Sequence, residues 1–147
     1  HEYKTWDGFE DKNVVVIGSG ASGADVATEV SRVANQVYLS ARNGMRVVRR
    51  VWRNGIPLDV QLYSRIVQYV MSILPSKVTN SFLEYLINSY FDHYVYGLNP
   101  KYPVSSQCLT VNDAFANCIL NGAIIMRRNV KEFTENGVIF EGFEEET

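Results

Sequence analysis

Apolar positions in this chain recur at two spacings, and the places where one gives way to the other outline its elements. Val14-Val15-Val16-Ile17 is a continuous β-branched run, the pattern of a buried strand. It empties into Gly18-Ser19-Gly20-Ala21-Ser22-Gly23, after which residues 24–33 carry apolar side chains at helical spacing. Gln36-Val37-Tyr38-Leu39-Ser40 predicts the next strand. Asn54-Gly55-Ile56-Pro57 is a turn signal, because glycine takes positive φ cheaply and proline ends regular pairing.

From Asp59 to about Tyr96 the period is helical in two blocks. Leu62, Ile66, Tyr69, Val70, Ile73 and Leu74 form one stripe and Phe82, Leu83, Leu86, Ile87 and Tyr90 another, with Pro75-Ser76 breaking between them. The spacing predicts an αα-hairpin inside a helical insertion over residues 56–112. Its stripes are expected to pack on each other and on the sheet edge, the usual fate of an apolar stripe; the alternative is a membrane or partner face.

Beyond the insertion, residues 113–120 read as a short helix ending at Asn121-Gly122, where both residues suit a left-handed cap. Ala123-Ile124-Ile125-Met126 reads as a strand returning to the sheet. Glu132-Phe133-Thr134 and Val138-Ile139-Phe140 flank Glu135-Asn136-Gly137, a hairpin with an Asn-Gly turn. The acidic tail, residues 141–147, is expected to fray.

The glycine segment carries chemistry. Gly-x-Gly-x-x-Gly between a strand and a helix is a dinucleotide-binding turn: Gly18 permits the tight turn, Gly20 lets a pyrophosphate approach the backbone, and Gly23 lets the helix pack close. The amides of Ser22, Gly23, Ala24 and Asp25 are expected to face the phosphates, with the positive end of the helix dipole behind them. The Asp25 carboxylate would repel a diphosphate, so only its amide is expected to contribute. The expected class is α/β, a Rossmann-like three-layer parallel sheet with a helical insertion and a β-hairpin near the C-terminus.

An acid about 20 residues on would hold the ribose of NAD. Here the second strand ends in Ser40-Ala41-Arg42, a hydroxyl and a guanidinium that suit a 2′-phosphate instead, so the expected cofactor is NADPH. Arg46, Arg49, Arg50 and Arg53 continue the basic run; they either enlarge that field or form a solvated or acid-paired face.

Composition adds mostly exclusions. At 147 residues, 46% hydrophobic and 20% charged, the chain is about one globular domain. Its net charge of −2 argues against a general nucleic-acid binder. Cys108 and Cys118 are too far apart for Cys-x-x-Cys and have no companion pair, so neither a disulfide framework nor a metal site is expected. His1 and His93 are isolated. No secretory signal and no run of about 18 apolar residues is visible, and these residues alone are expected to be soluble or surface-associated.

Several segments then point to a family. The chain resembles the NADPH-binding domain of the flavin-containing monooxygenases through residues 8–18, the Gly-Ser-Gly-Ala-Ser-Gly turn and Leu39-Ser40-Ala41-Arg42. The likeness continues in Phe91-Asp92-His93, Tyr96-Gly97-Leu98, Pro100-Lys101, Leu109-Thr110-Val111-Asn112-Asp113 and Asn129-Val130-Lys131-Glu132-Phe133-Thr134. His1-Glu2-Tyr3-Lys4 is similar to the end of the family fingerprint, with Tyr3 as its tyrosine.

The resemblance implies that residues 1–147 are the NADPH-binding domain of a larger flavoprotein, whose FAD and FAD-binding domain lie mostly outside this sequence. It implies that the parent oxygenates nucleophilic nitrogen or sulfur of small molecules through a hydroperoxyflavin, with Gly18, Gly20, Ser22, Gly23, Ala24 and Asp25 at the pyrophosphate and Ser40 and Arg42 at the 2′-phosphate. No catalytic residue is expected in this sequence. Association of the parent with the endoplasmic reticulum membrane is also implied, with the insertion as a surface of contact. A Baeyer–Villiger-type flavin monooxygenase and a non-catalytic NADP-binding module are the alternatives.

Overall fold

The computed structural model describes residues 3–62, 64–89, 91–98 and 100–143. His1 and Glu2, Tyr90 of the second stripe, the Arg53 side chain and the tail from 144 onward lie outside the described residues.

The β-branched run forms β1 (Asn13–Ile17), and the glycine turn leads into α1 (Ala21–Val30) and then β2 (Gln36–Ser40). β1 lies parallel to β2 with Val15 opposite Tyr38. The other side of β2 pairs in parallel with a later strand, placing Leu39 opposite Met126. β2 is thus central, which is why Val37 and Leu39 are fully buried while β1 keeps both ends exposed.

Helix α1 turns Ala24, Ala27 and Val30 onto this sheet, all three at 0% exposure. Two alanines on the buried face bring the helix close, and Val37, Leu39, Phe115 and Ile124 complete the principal core.

The chain then forms β3 (Val47–Val48), the helices α2 (Leu58–Leu62), α3 (Arg65–Ile73) and α4 (Ser76–Asn88), and β4 (Thr110–Val111), which pairs in parallel with β3. Trp52, Leu58, Leu62, Ile87 and Val104 make a second core between them. Pro75 sits at the N-cap of α4, where its missing N–H costs nothing, so the expected break falls where the proline put it.

The expected mutual packing of the two stripes is corrected by the structure. Leu62 belongs to α2 and is buried, but Ser64 starts a new helix by accepting a hydrogen bond from Val67 N–H, and α3 buries none of its residues. Ile66, Tyr69 and Ile73 are 78%, 69% and 66% exposed. In α4, Leu83, Leu86 and Ile87 turn inward while Phe82 and Tyr85 stay outside. Periodicity establishes that one face is apolar; it does not say what covers that face.

The rest returns to the sheet: α5 (Phe115–Leu120), β5 (Ile124–Arg127) against β2, then β6 (Val130–Phe133) and β7 (Val138–Phe140) in an antiparallel pair. Gly122, at φ +79°, follows the Asn121 cap of α5. The result is a mixed α/β fold in which β1 and β2 run the same way. Both therefore deliver their following loops, residues 18–20 and 41–46, to the same end of the sheet.

Candidate functional site

That shared end is built around the glycine turn. Gly18 has φ +111°, a conformation that side chains rarely adopt, and its N–H donates to the Ser40 carbonyl at 3.1 Å. The turn therefore starts pinned to the end of β2. A Cβ on Gly23 would collide with the Gly18 carbonyl oxygen, so the helix approaches the strand end as closely as backbone atoms permit.

Gly20 differs from both. Its φ of −77° suits any residue, and a Cβ there would meet nothing within 4 Å. Neither conformation nor packing inside the protein calls for glycine at this position; it leaves an open cradle at the start of α1.

The helix starts at Ala21, earlier than the apolar spacing alone indicates, and this narrows the expected phosphate donors. The Ala24 amide donates to the Gly20 carbonyl at 3.0 Å. The Asp25 amide falls to Ala21 on the same ladder. Ala24 and Asp25 are thus spent inside the helix, while Ala21, Ser22 and Gly23 are the amides with no earlier carbonyl in α1 to reach. No side chain caps the helix and no acid lies in its first turn. Its positive end faces the cradle unneutralised.

Ser40 and Arg42 are placed differently. Ser40 is buried and its hydroxyl donates to the Arg128 carbonyl at 2.9 Å, so it braces the strand end. Arg42 is exposed and stands in the wall shared by two cavities. One, about 250 Å³, is lined by Gly18, Ser19, Ser40 and Asn129 beside the turn. The other, about 280 Å³, gathers Arg42, Lys101, Arg127 and Arg128 over Leu98, Met126 and Phe143. These four cations share the second cavity with no carboxylate in its lining. Arg127 is held by its guanidinium over the rings of Phe143 at 4.5 Å and Tyr38 at 5.5 Å.

Lys101, Arg127 and Arg128 were not legible as site residues. Lys101 arrives from the far side of the insertion, its N–H donating to the Asn43 carbonyl at 3.0 Å. Of the basic run, Arg46 is internal: it pairs with Glu84 at 3.2 Å and donates to the Tyr102 carbonyl at 2.8 Å. Arg49 and Arg50 are exposed.

His93 is fully buried beside this framework. Its Nε2 lies 2.9 Å from Val47 N and 3.0 Å from the Val47 carbonyl oxygen, and its Nδ1 lies 2.8 Å from Asn88 Oδ1, so both ring nitrogens have a polar partner. Burial lowers its pKa to about 4. It ties the end of α4 to β3 as a neutral group.

These features define an α/β class with a glycine turn at the carboxyl ends of parallel strands. Within that class the chain is a member of the flavin-binding monooxygenase-like family, whose model matches residues 1–147. It is 46% identical over 140 residues to flavin-containing monooxygenase 5 from Oryctolagus cuniculus and 39% identical to dimethylaniline monooxygenase [N-oxide-forming] 2 from Macaca mulatta. Each alignment covers 95% of this chain and 26% of the relative, so the chain spans about a quarter of their length. Among solved structures, that of OTEMO in complex with FAD and NADP superimposes with a TM-score of 0.67 at 14% identity, covering 94% of this chain and 37% of that one, a likeness of fold.

Proposed function

We propose that residues 1–147 form the NADPH-binding domain of a larger FAD-dependent monooxygenase, with the sheet, its covering helices and the C-terminal hairpin making a Rossmann-like three-layer unit and residues 56–112 a helical insertion. The cradle at Gly20 carries this reading. A position where a Cβ would meet nothing within 4 Å, occupied by glycine in front of uncapped helix amides, suits a ligand group approaching the backbone. The diphosphate sits there, on the amides of Ala21, Ser22 and Gly23, with Gly18 and Gly23 setting the turn.

Arg42 reads the 2′-phosphate between the two cavities, and Lys101 and Arg128 enlarge its field. Ser40 serves by bracing the strand end. When bound, NADPH supplies a hydride to the flavin, and the flavin supplies the oxygen chemistry on a nucleophilic nitrogen or sulfur of a small molecule. This chain's share is to bind and orient, and none of its residues is assigned a catalytic role.

The apolar face of α3 is the contact of the parent with a membrane surface, for which the endoplasmic reticulum is the proposed setting. Arg65 and Lys77 flank a face of Ile66, Tyr69, Val70 and Ile73. Among the described residues no helix is long and apolar enough to cross a membrane.

A product assay on the full-length protein with NADPH tests the reaction. Oxygenation of a tertiary amine or thioether is the expected outcome. Conversion of a ketone to an ester without any amine or sulfur product would replace this reading with Baeyer–Villiger chemistry. NADP binding with no NADPH-dependent product would leave a binding module.

A further inference from the structure

The Asp25 carboxylate is an anomaly beside a diphosphate site. Helical side chains lean toward the N-terminus, so an unrestrained carboxylate at this position would lie back over the turn that starts at Ala21. The structure shows what restrains it. Asn112 Nδ2, just past β4, donates to Asp25 Oδ1 at 2.9 Å and to Thr28 Oγ1 at 3.3 Å.

The orientation of that amide follows from its neighbours. The Thr28 hydroxyl spends its hydrogen on the Ala24 carbonyl at 2.8 Å, so it can only accept from Asn112. On the opposite side Asn112 Oδ1 accepts from the N–H groups of Ala114 and Phe115, at 3.0 and 2.8 Å, where α5 begins. Both hydrogens and the oxygen of the amide are committed, and the side chain is 9% exposed. Two residues earlier, the Thr110 hydroxyl reaches the Ser19 carbonyl at 3.5 Å, so the segment returning from the insertion touches the turn at Ser19 as well as α1 at Asp25 and Thr28.

We propose that Asn112 is a positioning residue for the dinucleotide: it holds the Asp25 carboxylate beside α5 and thereby keeps a negative charge off the diphosphate. The inference rests on the NADPH reading of the glycine turn. The bonds to the start of α5 and the restraint on Asp25 are separable, because a carboxylate in place of the Asn112 amide keeps the acceptor for Ala114 and Phe115 but loses the donor that Asp25 requires.

The test is calorimetric titration of the full-length protein with NADP⁺, for the unmodified sequence, Asn112→Asp, Asp25→Asn and the exchanged pair carrying both changes, each first shown to melt cooperatively. Asn112→Asp is expected to raise the Kd about tenfold, through two facing carboxylates and one released toward the phosphates. In the exchanged pair the amide stands on α1 and donates to a carboxylate just past β4, so the same bond is remade in reverse. The exchange is expected to restore the Kd to within about twofold of the unmodified protein. An unchanged Kd in Asn112→Asp, or a loss the exchange does not relieve, would show that Asn112 only holds the start of α5 in place. If the unmodified protein itself fails to bind NADP⁺ while melting cooperatively, the NADPH reading falls and this inference with it.

Discussion

The α-carbon of Gly23 lies against the carbonyl oxygen of Gly18, with no room between them for a methyl group. The obstacle is backbone, which cannot swing aside as a side chain would. Gly23→Ala must therefore displace α1 from the end of β1 or distort the turn.

We expect Gly23→Ala to cost about 1–3 kcal/mol of stability, the range for forcing an extra methyl into a packed contact, and to weaken NADP⁺ binding in addition. Thermal melting and titration on the same preparation measure the two losses. Gly20→Ala is the complementary case. Its Cβ meets open space, so stability should change by less than about 0.5 kcal/mol while binding of the diphosphate falls. Normal binding by Gly20→Ala would contradict the cradle.

Arg42→Ala should weaken NADPH binding by about 1.5–3 kcal/mol and leave NADH binding nearly unchanged. Lys101→Ala should act in the same direction by less, because an exposed lysine is screened. Competitive titrations with both nucleotides at fixed salt decide this, and equal losses for the two would remove Arg42 from the 2′-phosphate.

Neutral His93 gives stability a defined pH dependence. Its unfolded pKa is 6.5 and its folded value about 4, so between them the unfolded chain binds more protons. This contribution is complete above about pH 6.5 and is lost as pH falls, amounting to about 3 kcal/mol by pH 4. Denaturant melts across that window should show the decline, and a variant such as His93→Gln should flatten it.

Charge on the α3 face tests the surface contact. Ile66→Glu and Ile73→Glu alter side chains that are already exposed, so stability should move by less than about 0.5 kcal/mol. Co-sedimentation of the full-length protein with anionic vesicles should nonetheless fall several-fold, since the apolar face supplies the insertion energy. Unchanged sedimentation would leave this face without a membrane role.

Much of the framework was legible because it is local. The β-branched run, the glycine turn and the second strand state their own ends, and β1 and β2 occupy residues 13–17 and 36–40. β3 and β4 were not legible: each is two residues long and exists only through its partner across the insertion. The stripe from Leu62 to Leu74 concealed a helix boundary at Ser64, where capping by a side chain overrode apolar continuity. At the site, Gly18, Gly20 and Gly23 were found by backbone logic that sequence carries directly. Ser40 as a brace, Lys101 in the basic cavity and Asn112 against Asp25 depend on segments brought together from far along the chain.

The most direct test of the whole account is calorimetric titration of this 147-residue chain with NADPH and then NADH at one moderate salt concentration. Binding of NADPH clearly tighter than NADH is the predicted result. Equal affinity for the two, or no binding by a chain that melts cooperatively, would contradict it.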